Sequence, residues 1–159
     1  MKFIIVSDTH GSTEYLRRVL AMHKDGDGVI FLGDGLSDLE SVCEGCGMPL
    51  YAVRGNCDIG GYFLCEKVER IGELSLFGKK ILYTHGDVCG VKSGDGELIS
   101  LAHKHGADIV LHGHTHLPRS TYEDGLYIFN PGALSGYKPS FGIMTVDGEN
   151  VLFSHGTFL

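Results

Sequence analysis

Tryptophan is absent from the 159 residues, and only 13 side chains are Lys or Arg against 20 Asp or Glu. Nowhere does an apolar run reach the roughly 18 residues that a membrane helix needs. The shortage of basic residues leaves a formal charge of −7. With no cationic surface to release counterions from phosphates, stable nucleic-acid binding and an anionic membrane are both disfavoured as partners. Only Phe3, Ile4, Ile5 and Val6 follow Met1-Lys2 before polar groups arrive, too short a stretch for an export signal, so a cytoplasmic protein is the expectation. The five cysteines (Cys43, Cys46, Cys57, Cys65, Cys89) are odd in number and scattered, which predicts reduced thiols. Cys43 and Cys46 form C-x-x-C without the second pair that a structural zinc site requires.

Glycine and histidine, by contrast, are abundant at 24 and nine residues, where glycine averages about 7% of a protein. Glycine lets backbone turn sharply, while His and Asp bind metals. The length suits one domain, expected over residues 1–159, large enough to bury a core without disulfide or metal staples. Phe3 to Val6, Val29 to Leu32 and Leu50 to Val53 read as buried strands. The first is followed by a helix capped at Ser12 or Thr13, with Leu16, Val19 and Leu20 on one face. The second precedes a helix carrying Leu36, Leu39 and Val42.

Past Gly60-Gly61 the segments shorten and alternate. Glu66 to Ile71 and Leu74 to Phe77, with turns at Gly72 and Gly78, predict half-exposed antiparallel strands. Then come Lys80 to Thr84, a helix from Glu97 to His105, and strands at Ile109 to Leu111, Leu126 to Phe129, Phe141 to Val146 and Val151 to Ser154. The last two are joined by a turn at Asp147-Gly148-Glu149-Asn150. Because the later strands lack intervening helices, an α/β fold of two sheets packed face to face, with helices outside, fits better than one doubly wound sheet.

Five of the strand-like runs end in polar, glycine-flanked loops that hold Asp8 and His10, Asp34, Asn56, His85, and His114 with His116. Ligands of α/β proteins collect at the carboxyl ends of strands, so these seven residues are expected to converge on one rim. A lone Asp beside Gly is ordinarily a turn or a cap, but seven donors at five successive strand ends share no such explanation. Imidazole, carboxylate and amide donors without thiolate suit Mn²⁺, Fe, Ni²⁺ or Zn²⁺.

The motifs Asp8-Thr9-His10, Gly33-Asp34, Gly55-Asn56-Cys57-Asp58, His85-Gly86 and Gly113-His114-Thr115-His116, with Asn130-Pro131-Gly132 after them, resemble those of the calcineurin-like metallophosphoesterases. Among these they look most like the compact YfcE-type prokaryotic phosphodiesterases. The resemblance implies a four-layer α-β-β-α sandwich of two mixed sheets and a site for two divalent cations, with Mn²⁺ expected. By the same resemblance, Asp8, His10, Asp34 and His116 would hold the first cation, and Asp34, Asn56, His85 and His114 the second. One bridging carboxylate spaces two cations by about 3.5 to 4 Å, and water shared between them loses a proton near neutral pH, giving a hydroxide that attacks phosphorus in line. Asp34, Asn56, Cys57 and His85 are the expected catalytic set, and a small phosphodiester is the expected substrate.

The chain departs from the family pattern at several positions. Cys57 stands where many relatives carry a His that meets phosphate and protonates the leaving oxygen. A thiol with an ordinary pKa of about 8.5 suits that role poorly, and a small residue that leaves space explains it equally well. Asp58 is expected to orient a neighbour, Asp87 to be structural, and Arg119 and Lys138 to be solvated. His112 is expected beside the ligands, and His23, His103, His105 and His155 at the surface. The segments Ile59 to Glu66, Leu117 to Tyr122 and Leu134 to Ser140 are expected to form loops that shape the pocket, and the Tyr62-Phe63-Leu64 patch offers a route to a dimer. The alternatives are a phosphomonoesterase and a scaffold of the same fold that has lost catalysis; a scaffold has no reason to retain all seven donors.

Overall fold

The structure is a computed structural model that describes residues 1–158. Its first sheet is built from β1 (Lys2–Val6), β2 (Gly28–Phe31) and β3 (Leu50–Ala52), all parallel, extended past β1 by antiparallel β11 (Ser140–Asp147) and β12 (Asn150–Thr157). The second sheet has parallel β7 (Lys79–Thr84), β8 (Ile109–Leu111) and β10 (Leu126–Asn130), edged by antiparallel β6 (Ile71–Leu76) and β9 (Arg119–Glu123). A small hairpin, β4 (Tyr62–Phe63) with β5 (Glu66–Lys67), stands apart from both. Among the described residues there are three α-helices, α1 (Thr13–Met22), α2 (Leu36–Cys43) and α3 (Gly96–Lys104), and one 3-10 turn at Asp87–Cys89. None is long and apolar enough to cross a membrane.

The layer order follows from strand alternation, since successive side chains of a strand point to opposite faces. On β1, Ile4 and Val6 join Leu16, Val19 and Leu20 of α1 and Leu36 and Leu39 of α2, while Phe3 and Ile5 turn inward to the second sheet. On β8, Ile109 and Leu111 face the first sheet, while Val110 packs with Leu98 and Ala102 of α3. Both faces of these strands are therefore buried, which is why they read as unbroken apolar runs. The result is the four-layer α-β-β-α sandwich, with α1 and α2 outside the first sheet and α3 outside the second. Each fully buried Ile or Leu between the sheets contributes about 1.5–3 kcal/mol, and truncating Ile30 to Ala would cost about 2–5 kcal/mol.

Four segments differ from the sequence reading, the first being Ile59 to Glu66, expected as a loop but carrying β4 and the start of β5. Gly72 is not a turn but lies inside β6, where the Tyr83 ring of neighbouring β7 covers the place a Cβ would occupy. Arg119 to Glu123 forms edge strand β9 and not a loop, because backbone pairing with β10 makes up for a polar sequence that carries no apolar alternation. Glu66 to Ile71 is divided, with Glu66–Lys67 in the hairpin and Ile71 opening β6.

Candidate metal centre

The carboxyl ends of β1, β2 and β3 leave one sheet, those of β7 and β8 leave the other, and the loops they carry meet. The backbone stitches them together: the Gly113 N–H donates to His85 O (3.0 Å), Asp8 N–H to Gly33 O (3.0 Å) and Leu134 N–H to Ser7 O (3.0 Å). Two glycines allow the close approach. A Cβ on Gly113 would overlap Ser7 Oγ and crowd the Asp8 carboxylate, and one on Gly55 would overlap Asp34 Oδ1. Neither residue has a positive φ, so their function is closeness and not the sharp turn that the sequence reading assumed.

The positive φ falls on the donors themselves. Asp8, His10, Asp34, His114 and His116 all sit between 43° and 66°, five of the nine non-glycine residues with positive φ among those described. This conformation costs roughly 1–2 kcal/mol per residue, and such strain clusters where surrounding structure and function require it.

The six carboxylate and imidazole candidates come together in two groups. Asp8, His10 and His116 form one, and Asp34, His85 and His114 the other. In the first, Asp8 Oδ1 lies 3.0 Å from His116 Nε2 and 3.6 Å from His10 Nε2, and the two Nε2 atoms are 3.4 Å apart. In the second, His85 Nε2 lies 3.3 Å from Asp34 Oδ2 and 3.0 Å from His114 Nδ1. The groups touch through Asp34 Oδ2, which is also 3.9 Å from His10 Nε2. Asn56 is exposed, and its amide donates to Cys57 Sγ (3.2 Å). Cys57 Sγ in turn groups with His10 and Asp34, their donor atoms lying within 4.8 Å of one another.

These residues fit divalent cations. Two nitrogens each about 2.1 Å from one ion lie roughly 3.0 to 3.4 Å apart, depending on the angle between them, and the paired imidazoles stand at those separations. His85 Nδ1 faces Leu32 O at 2.8 Å. As an N–H there it leaves the Nε2 lone pair free, which is how a hydrogen bond on one ring nitrogen fixes the metal-binding face of the other.

Charge at the site follows from these contacts. Burial works to raise the Asp34 carboxyl, but in the metal-free protein, with His85 protonated on both ring nitrogens, hydrogen bonds from His85 Nε2 and the Cys57 N–H outweigh it and hold the group well below the usual carboxylate range. For His85 the burial penalty is likewise outweighed, here by Asp34 and by the charge of Asp8, so its pKa is raised. His114 is lowered, by burial and then by His85. The Cys57 thiol is pushed up, first by its hydrogen bond with Asp34 and then by burial.

A ring of supporting residues was only partly foreseen. Asp58 accepts the N–H groups of Asp34, Gly35, Leu36 and Gly55 at 2.7–2.8 Å, tying two donor loops to the start of α2. Ser7 Oγ donates to Asp8 Oδ2 (2.5 Å), and Asp38 Oδ2 accepts from Thr9 Oγ1 (2.5 Å) and Gly11 N–H (2.8 Å). The Asn130 amide donates to Gly113 O (3.0 Å) and Thr115 Oγ1 (2.9 Å), clamping the loop that carries His114 and His116. Of these, only Asp58 and the Asn130 segment left a signal in the sequence, as parts of motifs. The Ser7 contact is with its chain neighbour and the Asp38 contacts with Thr9 and Gly11 are tertiary; none has a sequence signal.

The remaining expectations divide. Asp87 is paired with Arg70. Arg119, expected to be solvated, instead pairs with Asp95 and with Glu123. His112 is buried beside the donors, and desolvation lowers its pKa to about 4. Two outer histidines are less free than a surface placement implies: His155 stacks on Phe129 and donates to Asn130 O (2.8 Å), and His105 meets Glu73 at 2.6 Å. Phe63 packs into the core beside α2, so Tyr62, Phe63 and Leu64 do not form one exposed patch.

The profile of the Calcineurin-like phosphoesterase superfamily domain matches residues 1–151. The chain belongs to this superfamily. It is 32% identical over 154 residues to the "Probable metallophosphoesterase YsnB" of Bacillus subtilis, covering 94% of this chain and 86% of that one. It is 28% identical over 175 residues to "Phosphodiesterase YfcE" of Escherichia coli K12, covering 96% and 91%. A superfamily member of this kind is a metal-dependent phosphoric ester hydrolase. Among solved structures, Vacuolar Protein Sorting 29 of Cryptosporidium parvum superposes with a TM-score of 0.79 at 20% identity over 99% of this chain and 98% of that one. That likeness concerns the fold alone, and fold does not decide function.

Proposed function

We propose that the chain is a dinuclear phosphodiesterase in which Asp8, His10, Asp34 and His116 hold one divalent cation, and Asp34, Asn56, His85 and His114 the other, with Mn²⁺ the working metal. When bound, such a pair of ions supplies the positive charge that activates water and neutralises phosphate oxygens. The observation that carries the reading is the position of Asp34 Oδ2 between His85 Nε2 and His10 Nε2, at 3.3 and 3.9 Å.

The chain's own residues do the rest. Asp34 stays ionised because its hydrogen bonds outweigh its burial. His85 is oriented by Leu32 O, and Asp58 and Asn130 fix the loops so that the donors need not reorganise on binding. The preference for a diester rests on Cys57. With its thiol pushed up, it is a weak acid for expelling a poor leaving oxygen, so turnover should favour diesters of acidic alcohols over alkyl monoesters.

The test is to strip the protein with chelator, reload it with Mn²⁺, and compare an aryl phosphodiester with an alkyl phosphomonoester. Restoration of diester turnover at least roughly tenfold above monoester turnover is expected. Equal or reversed rates would remove the diester preference, and the absence of turnover with any divalent cation would remove the enzyme reading.

A further inference from the structure

Next to Cys57 the surface folds into a cleft of about 250 Å³ between the start of α2 and the 57–62 loop, lined by Leu36, Ser37, Glu40, Cys57, Ile59 and Tyr62, with Asp58 and Gly61 beneath. It adjoins the candidate centre through Cys57, whose Sγ lies within 4.8 Å of donor atoms of His10 and Asp34. A phosphate held at the cations that these residues would bind would lie beside this cleft, within reach of one ester substituent. Ile59 is fully exposed and Tyr62 is 61% exposed, apolar side chains with no partner on their outer faces.

The charge of the cleft is one-sided. Asp58 is spent, since its two oxygens accept four backbone N–H groups. Glu40 is not: Oε1 accepts only the Leu64 N–H (3.1 Å), and the residue is exposed. Among the described residues, no Lys or Arg belongs to the lining of the cleft, although Arg54 touches Gly61 of that lining. Lys67, opposite Tyr62 in the hairpin, lines a separate hollow with Ala52 and Tyr83.

We propose that this cleft binds one organic substituent of the diester, and that it takes an uncharged, ring-bearing alcohol such as an aryl alcohol or an otherwise unphosphorylated nucleoside while rejecting anionic ones. The proposal rests on the phosphodiesterase reading and names its substrate class. The physical basis is that Ile59 and Tyr62 offer apolar area and a ring face to a planar substituent, whereas Glu40 opposes a second negative charge. Ligands that carry further phosphates would bring their charge to Glu40 on a lining that itself holds no Lys or Arg, and like charges brought together cost affinity.

The experiment uses Mn²⁺-loaded protein and two methyl aryl phosphodiesters of matched phenol acidity, one bearing a neutral carboxamide and the other a carboxylate. The wild type should prefer the neutral substrate by about tenfold in kcat/KM, carried by KM, a size consistent with a partly screened like-charge contact. Glu40→Gln should shrink the preference and Glu40→Lys invert it, while Tyr62→Ala should raise KM for both substrates about fivefold, as for loss of an aromatic contact. A preference untouched by both Glu40 variants, with metal-dependent turnover intact, would overturn the cleft assignment and leave the phosphodiesterase reading standing. Failure of both diesters with every divalent cation would overturn the two together.

Discussion

The two halves of the candidate centre draw on the same two sheets but are built differently. Of Asp34, His85 and His114, two are buried, Asp34 and His85, while His114 is half-buried, and Leu32 O orients the His85 ring. Asp8, His10 and His116 share one buried carboxylate with two exposed imidazoles, whose side chains are 32% and 44% exposed. One half is preformed by packing, and the other is completed from solvent-facing side chains. A donor held in place before binding loses less conformational freedom on binding, so the buried half should take its cation first and release it last. Asp34 belongs to both.

Breaking that shared member should have the largest effect. Asp34→Asn removes the carboxylate between the halves and is expected to lower kcat by about 10³-fold or more, in line with losing a principal electrostatic group. Steady-state turnover of an aryl phosphodiester with saturating Mn²⁺ measures this. His85→Asn should cost roughly 10²–10³-fold and also lower the affinity for the tighter cation, seen in a calorimetric Mn²⁺ titration; an unchanged tight site would reverse the assignment of the halves.

The buried half also predicts an acid response in metal-free protein. His112, buried two residues before His114, has its pKa lowered to about 4, so over the interval up to its ordinary value near 6.5 the unfolded chain binds the proton first. The associated stability is present above about pH 6.5 and lost as pH falls toward 4, on the order of 3 kcal/mol in total. Denaturant midpoints of chelated wild type and His112→Gln across this range should show a flatter slope for the variant.

Smaller effects belong to the open side. His10→Gln should lower turnover about 10–100-fold and abolish the weaker Mn²⁺ event while sparing the tighter one. Cys57→Ala should change turnover of an activated diester by less than about threefold, because good leaving groups need little acid catalysis.

The strands and helices were legible because each buried strand is apolar on both faces and each helix carries its stripe, as Ile4, Ile5 and Val6 and the trio Leu16, Val19 and Leu20 show. The candidate donors are legible because strand ends and glycines mark them. The strain was not: Asp8, His10, Asp34, His114 and His116 take positive φ themselves, and no local pattern distinguishes that from a neighbouring glycine turning for them. Edge strand β9 escaped notice because its sequence is polar and its order comes from β10. The Thr9–Asp38 contact and the Leu32 carbonyl at His85 join residues far apart in the chain, where spacing carries no information. Asn56 is plain in its motif, and its side-chain amide donates to the neighbouring Cys57 Sγ.

The most direct test of two halves joined by one carboxylate is metal content after Mn²⁺ loading and gel filtration, measured side by side on wild type and Asp34→Asn. Two ions per chain in the wild type and one or none in the variant are predicted. A single ion in the wild type, or two retained by Asp34→Asn, would contradict the shared centre.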